Sequence, residues 1–285
     1  MNRQQVIERE RRGQVLAGAL AISTLPIFIL TQIVLSETGF VLTGMPTETY
    51  RSFHEHQTAF IAQGLLTAVL YAVFIYPLYY LFRAAMARSQ RVNPAMVGFV
   101  FLGPGLYALS NVVLSIAQSG VASDFASQSA AGGDIYNLLS DLQNDSTLTQ
   151  IGTYLQLPAA LALVVAIFYT ALQAFRVGLL TRFFGTLGMA LAVAQILVPQ
   201  LGRPALMAWL AWLGFLILDR IPNGRPPAWD AGEAIPWPRP GENVATAGAP
   251  VEAIEGDATE AFESEGTDHS ARRDRARKRK RKRRR

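Results

Sequence analysis

The chain of 285 residues contains no cysteine. It therefore cannot form a disulfide, a thiolate nucleophile, a cysteine-ligated zinc site or an iron–sulfur centre. Histidine is also scarce, with three residues in all, so a multi-histidine metal site is nearly excluded. These two shortages remove most metal and thiol chemistry from the functions that the chain could carry.

Charge is the next shortage, and it is confined to one part of the chain. Between Gly13 and Leu218 there are seven Arg and seven Asp or Glu. That is about 7% of the segment, whereas soluble domains carry about a quarter charged residues. Such a segment cannot cover itself with a surface suited to water. The composition excludes a soluble globular enzyme and indicates a multi-pass membrane protein.

Six apolar stretches are long enough, or nearly long enough, to cross a bilayer, which takes about 20 helical residues. None of them contains an Asp, Glu, Lys, Arg or His. They are continuously apolar and not alternating, which excludes a membrane barrel, and in lipid each backbone amide must be paired within its own segment. We therefore predict an all-α bundle over residues 13–220, with spans at 14–35, 58–82, 95–118, 151–175, 184–201 and 204–218. The sequence Gly202-Arg203-Pro204 predicts a tight turn between the last two spans.

The distribution of Arg predicts the orientation. The segment 1–12 and the links after the second and fourth spans are each richer in Arg than any of the alternate links. Because cytoplasmic loops carry the excess of Lys and Arg, both termini should face the cytoplasm. The surplus of Arg over Lys is typical of a GC-rich bacterial genome, which suggests the bacterial inner membrane.

Polar but uncharged side chains occur inside several of the predicted spans. One interpretation is a polar cavity for an uncharged or zwitterionic ligand, and the other is hydrogen bonding between helices, worth about 0.6 kcal/mol per contact. The spans offer no acid, base or metal-ligand set, so we expect no catalytic residue and no cofactor. The candidate cavity residues are Gln32, Gln63, Asn111, Gln156 and Gln195.

Two features stand in the predicted outer loops. His54 and His56 flank Glu55, but the zinc-protease spacing is missing, and Ser52 with Glu55 matches a capping box at the start of the second span. We therefore predict a helix cap there, with a metal site as the weaker alternative. In the second loop, apolar residues at helical spacing follow Asp134, which predicts a short amphipathic helix with Asp134 as N-cap.

The C-terminal tail has two parts of opposite charge. Residues 221–271 are acidic and rich in Pro, Gly and Ala, which predicts disorder, although Pro226-Pro227-Ala228-Trp229 and Pro236-Trp237-Pro238 are typical of docking segments. Residues 272–285 are polybasic and predict contact with anionic lipid headgroups. Nucleic acid or the acidic stretch itself are alternative partners. The predicted contact residues are Arg277, Lys278, Arg279, Lys280, Arg281, Lys282 and Arg283.

The membrane segment resembles a family of uncharacterised six-helix bacterial membrane proteins, a domain of unknown function. The resemblance rests on Tyr76-Pro77-Leu78-Tyr79-Tyr80 and on Arg176-Val177-Gly178-Leu179-Leu180-Thr181-Arg182-Phe183 before Gly185 and Gly188. It covers about residues 13–220 and leaves the tail out. It implies a six-helix fold in the inner membrane and no particular activity.

These observations favour a non-enzymatic integral membrane protein whose basic tail contacts anionic lipid. A carrier for a small uncharged or zwitterionic solute is the first alternative, motivated by the glutamines and prolines in the spans. A membrane adapter that contacts ribosomes or RNA through the tail is the second. An intramembrane enzyme is the least favoured, because the spans lack any catalytic set.

Overall fold

The computed structural model describes residues 3–37, 46–129, 134–222 and 224–237, and the regular secondary structure in this part of the chain is all helical, with no strand. A single 3-10 turn, Pro94–Met96, precedes the fourth α-helix. The α-helices are α1 (Arg3–Glu37), α2 (Pro46–Glu55), α3 (Gln57–Arg88), α4 (Val97–Ser129), α5 (Ile135–Asp145), α6 (Thr147–Arg176), α7 (Arg182–Leu197), α8 (Pro199–Ile217) and α9 (Ala228–Ala231).

The six longest helices form a closed ring. Following the ring, α1 packs on α3, α3 on α4, α4 on α6, α6 on α7, α7 on α8, and α8 returns to α1. Its interior is filled by apolar side chains that are almost completely buried, among them Phe74, Leu163, Ile167, Leu206 and Leu210. The middle of the bundle is therefore a packed core and not a pore.

In the described part of the chain, four helices are long and apolar enough to cross a membrane: α1, α3, α6, and α4 together with the 3-10 turn before it. The apolar α7 is shorter, with 16 residues. Large apolar side chains on the outer faces of these helices are exposed, for example Ile33, Val69, Leu102 and Leu161, each about half exposed. Helices that are apolar both inside and outside the bundle are those of a membrane protein. The predicted all-α, multi-pass class is confirmed at this level.

We name the two ends of the bundle by their charges. The basic end comprises the starts of α1, α4 and α7 and the ends of α3, α6 and α8, and it carries Arg9, Arg83, Arg88, Arg176 and Arg182. The acidic end comprises the opposite ends of these helices together with α2 and α5, and it carries Glu48, Asp134, Asp141 and Asp145.

At the acidic end, α2 and α5 cover the bundle with a small apolar cluster. Tyr50 and Phe53 of α2 pack with Phe60 and Phe125, and Leu139 of α5 completes the cluster. The prediction for α5 is confirmed, since the Asp134 carboxylate accepts hydrogen bonds from the backbone N–H groups of the first turn. Burial raises the pKa of the Tyr50 hydroxyl, and the hydrogen bond that it accepts from Gln143 lowers it in part.

The predicted capping box is wrong. Ser52 and Glu55 both lie inside α2, and α3 begins one residue after His56, whose side chain caps nothing. The reason is that α2 forms as a helix of its own: Pro46 suits its first position, and Tyr50 and Phe53 bury its apolar face, with the Phe53 ring 3.9 Å from the Phe60 ring.

The predicted turn at Gly202-Arg203-Pro204 is also wrong. The chain turns at Val198, and α8 already begins at Pro199, where the missing N–H of proline costs no helical hydrogen bond. Gly202 instead lets α8 approach the end of α7, because a Cβ at this position would lie 2.4 Å from the carbonyl carbon of Ala194. Arg203 thereby belongs to a helix and not to a loop.

A segment that the sequence assigned to a disordered tail is packed on the basic end. Residues 226–236, which we call the strap, cross the ends of α1, α3 and α6, and Ala228 and Trp229 are buried. The Trp229 indole N–H donates to the Leu179 carbonyl at 2.9 Å, and the Ile235 N–H donates to the Val177 carbonyl at 3.1 Å. For the strap the prediction of disorder is wrong, because Pro226-Pro227-Ala228-Trp229 packs on the bundle of its own chain. The rest of the acidic segment and the polybasic residues 272–285 lie outside the described residues.

Candidate functional site

A cavity of about 620 Å³ lies at the acidic end, between α1, α3, α4 and α8. Volumes of this size are typical of sites for small ligands. Phe28, Leu35, Phe53, Phe60 and Leu70 supply apolar walls. The polar groups come from Thr31, Gln32, Ser36, Gln63, Thr67, Tyr71, Asn111, Gln118, Gln200 and Arg203.

Arg203 is the one cation among the described residues that line this cavity, and no carboxylate lines it. The Nη2 atom of Arg203 donates a hydrogen bond to the Tyr107 hydroxyl at 2.9 Å. Tyr107 in turn packs edge-on against Tyr71, with ring centres 4.5 Å apart. The aromatic pair therefore holds the guanidinium at the cavity wall, where a half-buried positive charge favours a negatively charged group of a ligand.

The cavity brings together three of the five polar residues predicted from the spans: Gln32, Gln63 and Asn111. Gln63 donates to the Thr67 hydroxyl at 3.3 Å, and Asn111 donates to the Tyr107 carbonyl at 2.7 Å. These bonds orient the amides within their own helices, and an amide has more donor and acceptor capacity than one bond uses. Both amides can therefore take part in binding a ligand.

Gln156 and Gln195 are not among the described lining residues of this cavity. Gln195 is buried on α7, and its Nε2 atom has no hydrogen-bond partner among the described residues. Gln156 is half-buried on α6. The structure thus separates the predicted polar residues into a group on the cavity and two isolated positions.

The two predicted histidines do not form a shared site. His54 lies in the last turn of α2, and His56 lies between α2 and α3, with its Nδ1 atom 3.2 Å from the Ser52 carbonyl oxygen. Within the described ranges, no group of three or more His, Asp or Glu side chains is placed to hold a metal ion.

The basic end of the bundle is closed by a buried ion pair. The Arg88 side chain is completely buried, and its guanidinium donates to both carboxylate oxygens of Glu10. It also donates to the carbonyls of Ala84 at 2.9 Å and Ala228 at 3.0 Å, and it lies 5.6 Å from the centre of the Trp229 ring. None of these residues is among the described residues that line the large cavity.

Sequence reasoning missed Arg203 as a site residue. It assigned the residue to a loop because Gly and Pro flank it, and that pattern usually marks a turn. A signal was present nevertheless, since Arg203 is the lone ionisable residue between Arg182 and Asp219. An isolated charge in an apolar stretch is a mark of function in membrane proteins.

Comparison of the chain with protein-family models, with curated proteins and with solved structures finds no match. The resemblance to a family of six-helix membrane proteins therefore stays a prediction. Any functional conclusion has to come from the geometry of the cavity and of the bundle ends.

Proposed function

We propose that this protein binds a small solute that carries a carboxylate, in the cavity at the acidic end, as the first step of a carrier function. The observation that carries the proposal is the placement of Arg203 among amides and aromatic rings in a cavity whose described lining residues include no carboxylate. A guanidinium pairs with a carboxylate through two parallel hydrogen bonds. The aromatic and aliphatic walls suit the apolar part of such a solute.

The cavity favours a more restricted class of solute than the sequence alone suggested. The spans alone favoured an uncharged or zwitterionic molecule, whereas Arg203 favours one with a negative group. A zwitterion fits this requirement, because its ammonium group can lie against the faces of Phe28, Phe53 or Phe60 or donate hydrogen bonds to the amide oxygens of the cavity wall.

Binding to one end of the bundle fits a carrier in a state open at the acidic end. In the orientation that we propose from the distribution of Arg, with six crossings and both termini in the cytoplasm, this end faces outward. The packed core and the pair of Arg88 and Glu10 then close the cytoplasmic side.

The test is binding of neutral amino acids and short monocarboxylates to the full-length protein in nanodiscs, with the matching carboxamides as uncharged controls. We expect a carboxylate to bind and its amide to bind about tenfold to a hundredfold more weakly, since a hydrogen bond to a charged group contributes about 1.5–3 kcal/mol. Arg203→Gln should show the same loss, and Arg203→Lys a smaller one, because lysine keeps the charge but lacks the planar fork.

Arg51→Gln is the matched control, because Arg51 is exposed on α2 at the same end of the bundle and does not line the cavity. Its binding should be unchanged. If Arg203→Gln binds the carboxylates as well as the unmodified protein does, or if the amides bind equally well, the proposed site is wrong. Uptake of the bound solute into proteoliposomes then separates a carrier from a receptor.

We also propose, from charge alone, that the polybasic residues 272–285 contact anionic lipid headgroups at the cytoplasmic surface. Each basic residue near such a surface contributes about 1 kcal/mol. RNA is the alternative partner, and it would be favoured if the tail bound RNA in preference to anionic vesicles at equal salt.

A further inference from the structure

The basic end contains a second pocket, which lies between α1 and α3 and has a volume of about 280 Å³. It is separate from the cavity of the proposed function, and the two share no lining residue. Its polar wall consists of charged side chains from α1 and of tyrosines with one arginine from α3. The residues that matter below are Arg9, Glu10, Arg12, Tyr76, Tyr79 and Arg83.

The pocket has a surplus of positive charge. Three of its lining side chains are guanidinium groups, and Glu10 is the one carboxylate among its described lining residues. Both oxygens of that carboxylate are bound by Arg88, which is completely buried beside the pocket. Because Arg88 neutralises Glu10, the guanidinium groups of Arg12 and Arg83 give the pocket a positive potential.

The position of Arg83 is fixed by Tyr79, one turn earlier on α3. Its Nη1 atom donates to the Tyr79 hydroxyl at 2.8 Å, and its guanidinium carbon lies 5.4 Å from the centre of the Tyr79 ring. A guanidinium held in this way loses less conformational entropy when it binds an anion.

Gly13 keeps the floor of the pocket open. A Cβ at this position would lie 3.1 Å from the Tyr76 hydroxyl oxygen and 3.3 Å from the Tyr80 ring. A longer side chain would fill the space below Arg12. The small residue thus leaves room for a ligand and leaves the Tyr76 hydroxyl at the edge of that space.

The depth of the pocket matches the headgroup layer of a membrane. The 32 residues of α3 span about 48 Å, whereas the hydrocarbon core of a bilayer is about 30 Å thick. A centred α3 would therefore extend about 9 Å beyond the hydrocarbon at each side. Arg83 lies five residues before the end of α3, about 8 Å from it, and so falls at the boundary between hydrocarbon and headgroups.

We propose that this pocket binds the phosphate of an anionic phospholipid headgroup between Arg12 and Arg83. Guanidinium forks bind phosphate oxygens bidentately, and the Tyr76 hydroxyl supplies a further donor. Basic pockets between helices at the membrane surface select anionic headgroups. The acyl chains of the lipid would continue along the apolar outer faces of α1 and α3, where Leu16 is half exposed.

The test is the affinity of full-length protein in detergent micelles for phosphatidylglycerol, measured by native mass spectrometry, with phosphatidylcholine as the neutral comparison. Measurement at about 0.5 M salt screens the attraction between exposed charges, so the polybasic tail contributes little. We expect the double variant Arg12→Gln, Arg83→Gln to bind phosphatidylglycerol at least about tenfold more weakly.

Arg11→Gln is the matched control. Arg11 is exposed on the same helix, one residue from Arg12, and does not line the pocket, so this variant should bind within about twofold of the unmodified protein. If the double variant unfolds, the single variant Arg12→Gln replaces it in the binding measurement. Arg12 is exposed, so its substitution leaves the bundle core intact.

Two results would overturn the proposal. One is equal loss of phosphatidylglycerol binding in Arg11→Gln and in the pocket variants, which would mean that net charge alone attracts the lipid. The other is competition by soluble glycerol phosphate at the same concentration as the lipid, which would assign the pocket to a free phosphate compound. The proposal is supported if the unmodified protein prefers phosphatidylglycerol over phosphatidylcholine and over glycerol phosphate, and if only the pocket variants lose this preference.

Discussion

At the scale of single residues, Arg88 joins three separate parts of the molecule: α3, α1 and the strap. It stands on α3, pairs with Glu10 on α1, and donates to backbone carbonyls of α3 and the strap. All of its donors face acceptors, which is what a completely buried guanidinium requires. Removing one partner of such a pair is costly because the other is left as an uncompensated buried charge.

We therefore expect Glu10→Gln to destabilise the protein by about 3–5 kcal/mol, measured by unfolding of the protein in mixed micelles with increasing denaturing detergent. Glu8→Gln is the control, because Glu8 is exposed two residues earlier on the same helix, and its effect should stay below about 0.5 kcal/mol. Equal stability of the two variants would mean that the pair of Glu10 and Arg88 contributes nothing to the closure of the basic end.

Cavity residues could be predicted from the sequence where a polar side chain stands in an otherwise apolar span. Gln63 and Asn111 stand out in apolar spans, and they do line the cavity. Arg88 and Arg203 look like ordinary loop residues in the sequence, since both lie near the predicted ends of spans. Their burial depends on partners 78 or more residues away, Glu10 for Arg88 and Tyr107 for Arg203, which no local pattern contains.

At the scale of elements, the crossing of α4 and α6 depends on a glycine. A Cβ at Gly103 would lie 2.7 Å from the backbone nitrogen and Cα of Leu163. Backbone atoms cannot rotate away as a side chain does, so the two helices would have to separate. Close contact of this kind through small residues is how membrane helices gain packing energy.

Gly103→Ala should accordingly lower stability by about 1–3 kcal/mol, seen as a lower midpoint of thermal unfolding in detergent. Gly105→Ala offers a matched comparison two residues along α4, where a Cβ would meet no atom within 4 Å. That variant should be neutral or stabilised by up to about 1 kcal/mol, because alanine favours helix over glycine. A similar decrease for both would show that the packing at Gly103 has no special role.

A helix or segment could be predicted from the sequence when the residues that determine it lie within or next to it. The start of α5 follows from Asp134, whose carboxylate caps the first turn. The boundary between α7 and α8 was misplaced because Gly202 serves helix contact with Ala194 and not a turn. The strap was missed because a short segment rich in proline and acid has too little apolar area to fold by itself; Trp229 finds its burial against distant helices.

At the scale of the whole molecule, the proposed orientation can be tested directly because the natural chain has no cysteine. A membrane-impermeant maleimide applied to intact cells should label Ser140→Cys, on the exposed face of α5. It should label Gln90→Cys, in the exposed link before α4, after the membrane is made permeable. The reverse pattern would invert the proposed topology, and labelling of both in intact cells would mean that α4 does not cross the membrane.

The dependence of Arg88 on the strap has a consequence for biosynthesis. The Ala228 carbonyl lies 140 residues after Arg88 in the chain. At translation rates of about 5–20 residues per second, a ribosome needs about 7–28 s to cover that distance. During this interval α1, α3 and the later helices enter the bilayer while the guanidinium still lacks the carbonyls of Ala228 and Trp229, to which it donates at 3.0 and 3.4 Å. The burial of Arg88 is therefore completed only after the strap has been synthesised, later than the synthesis of the helices that surround it.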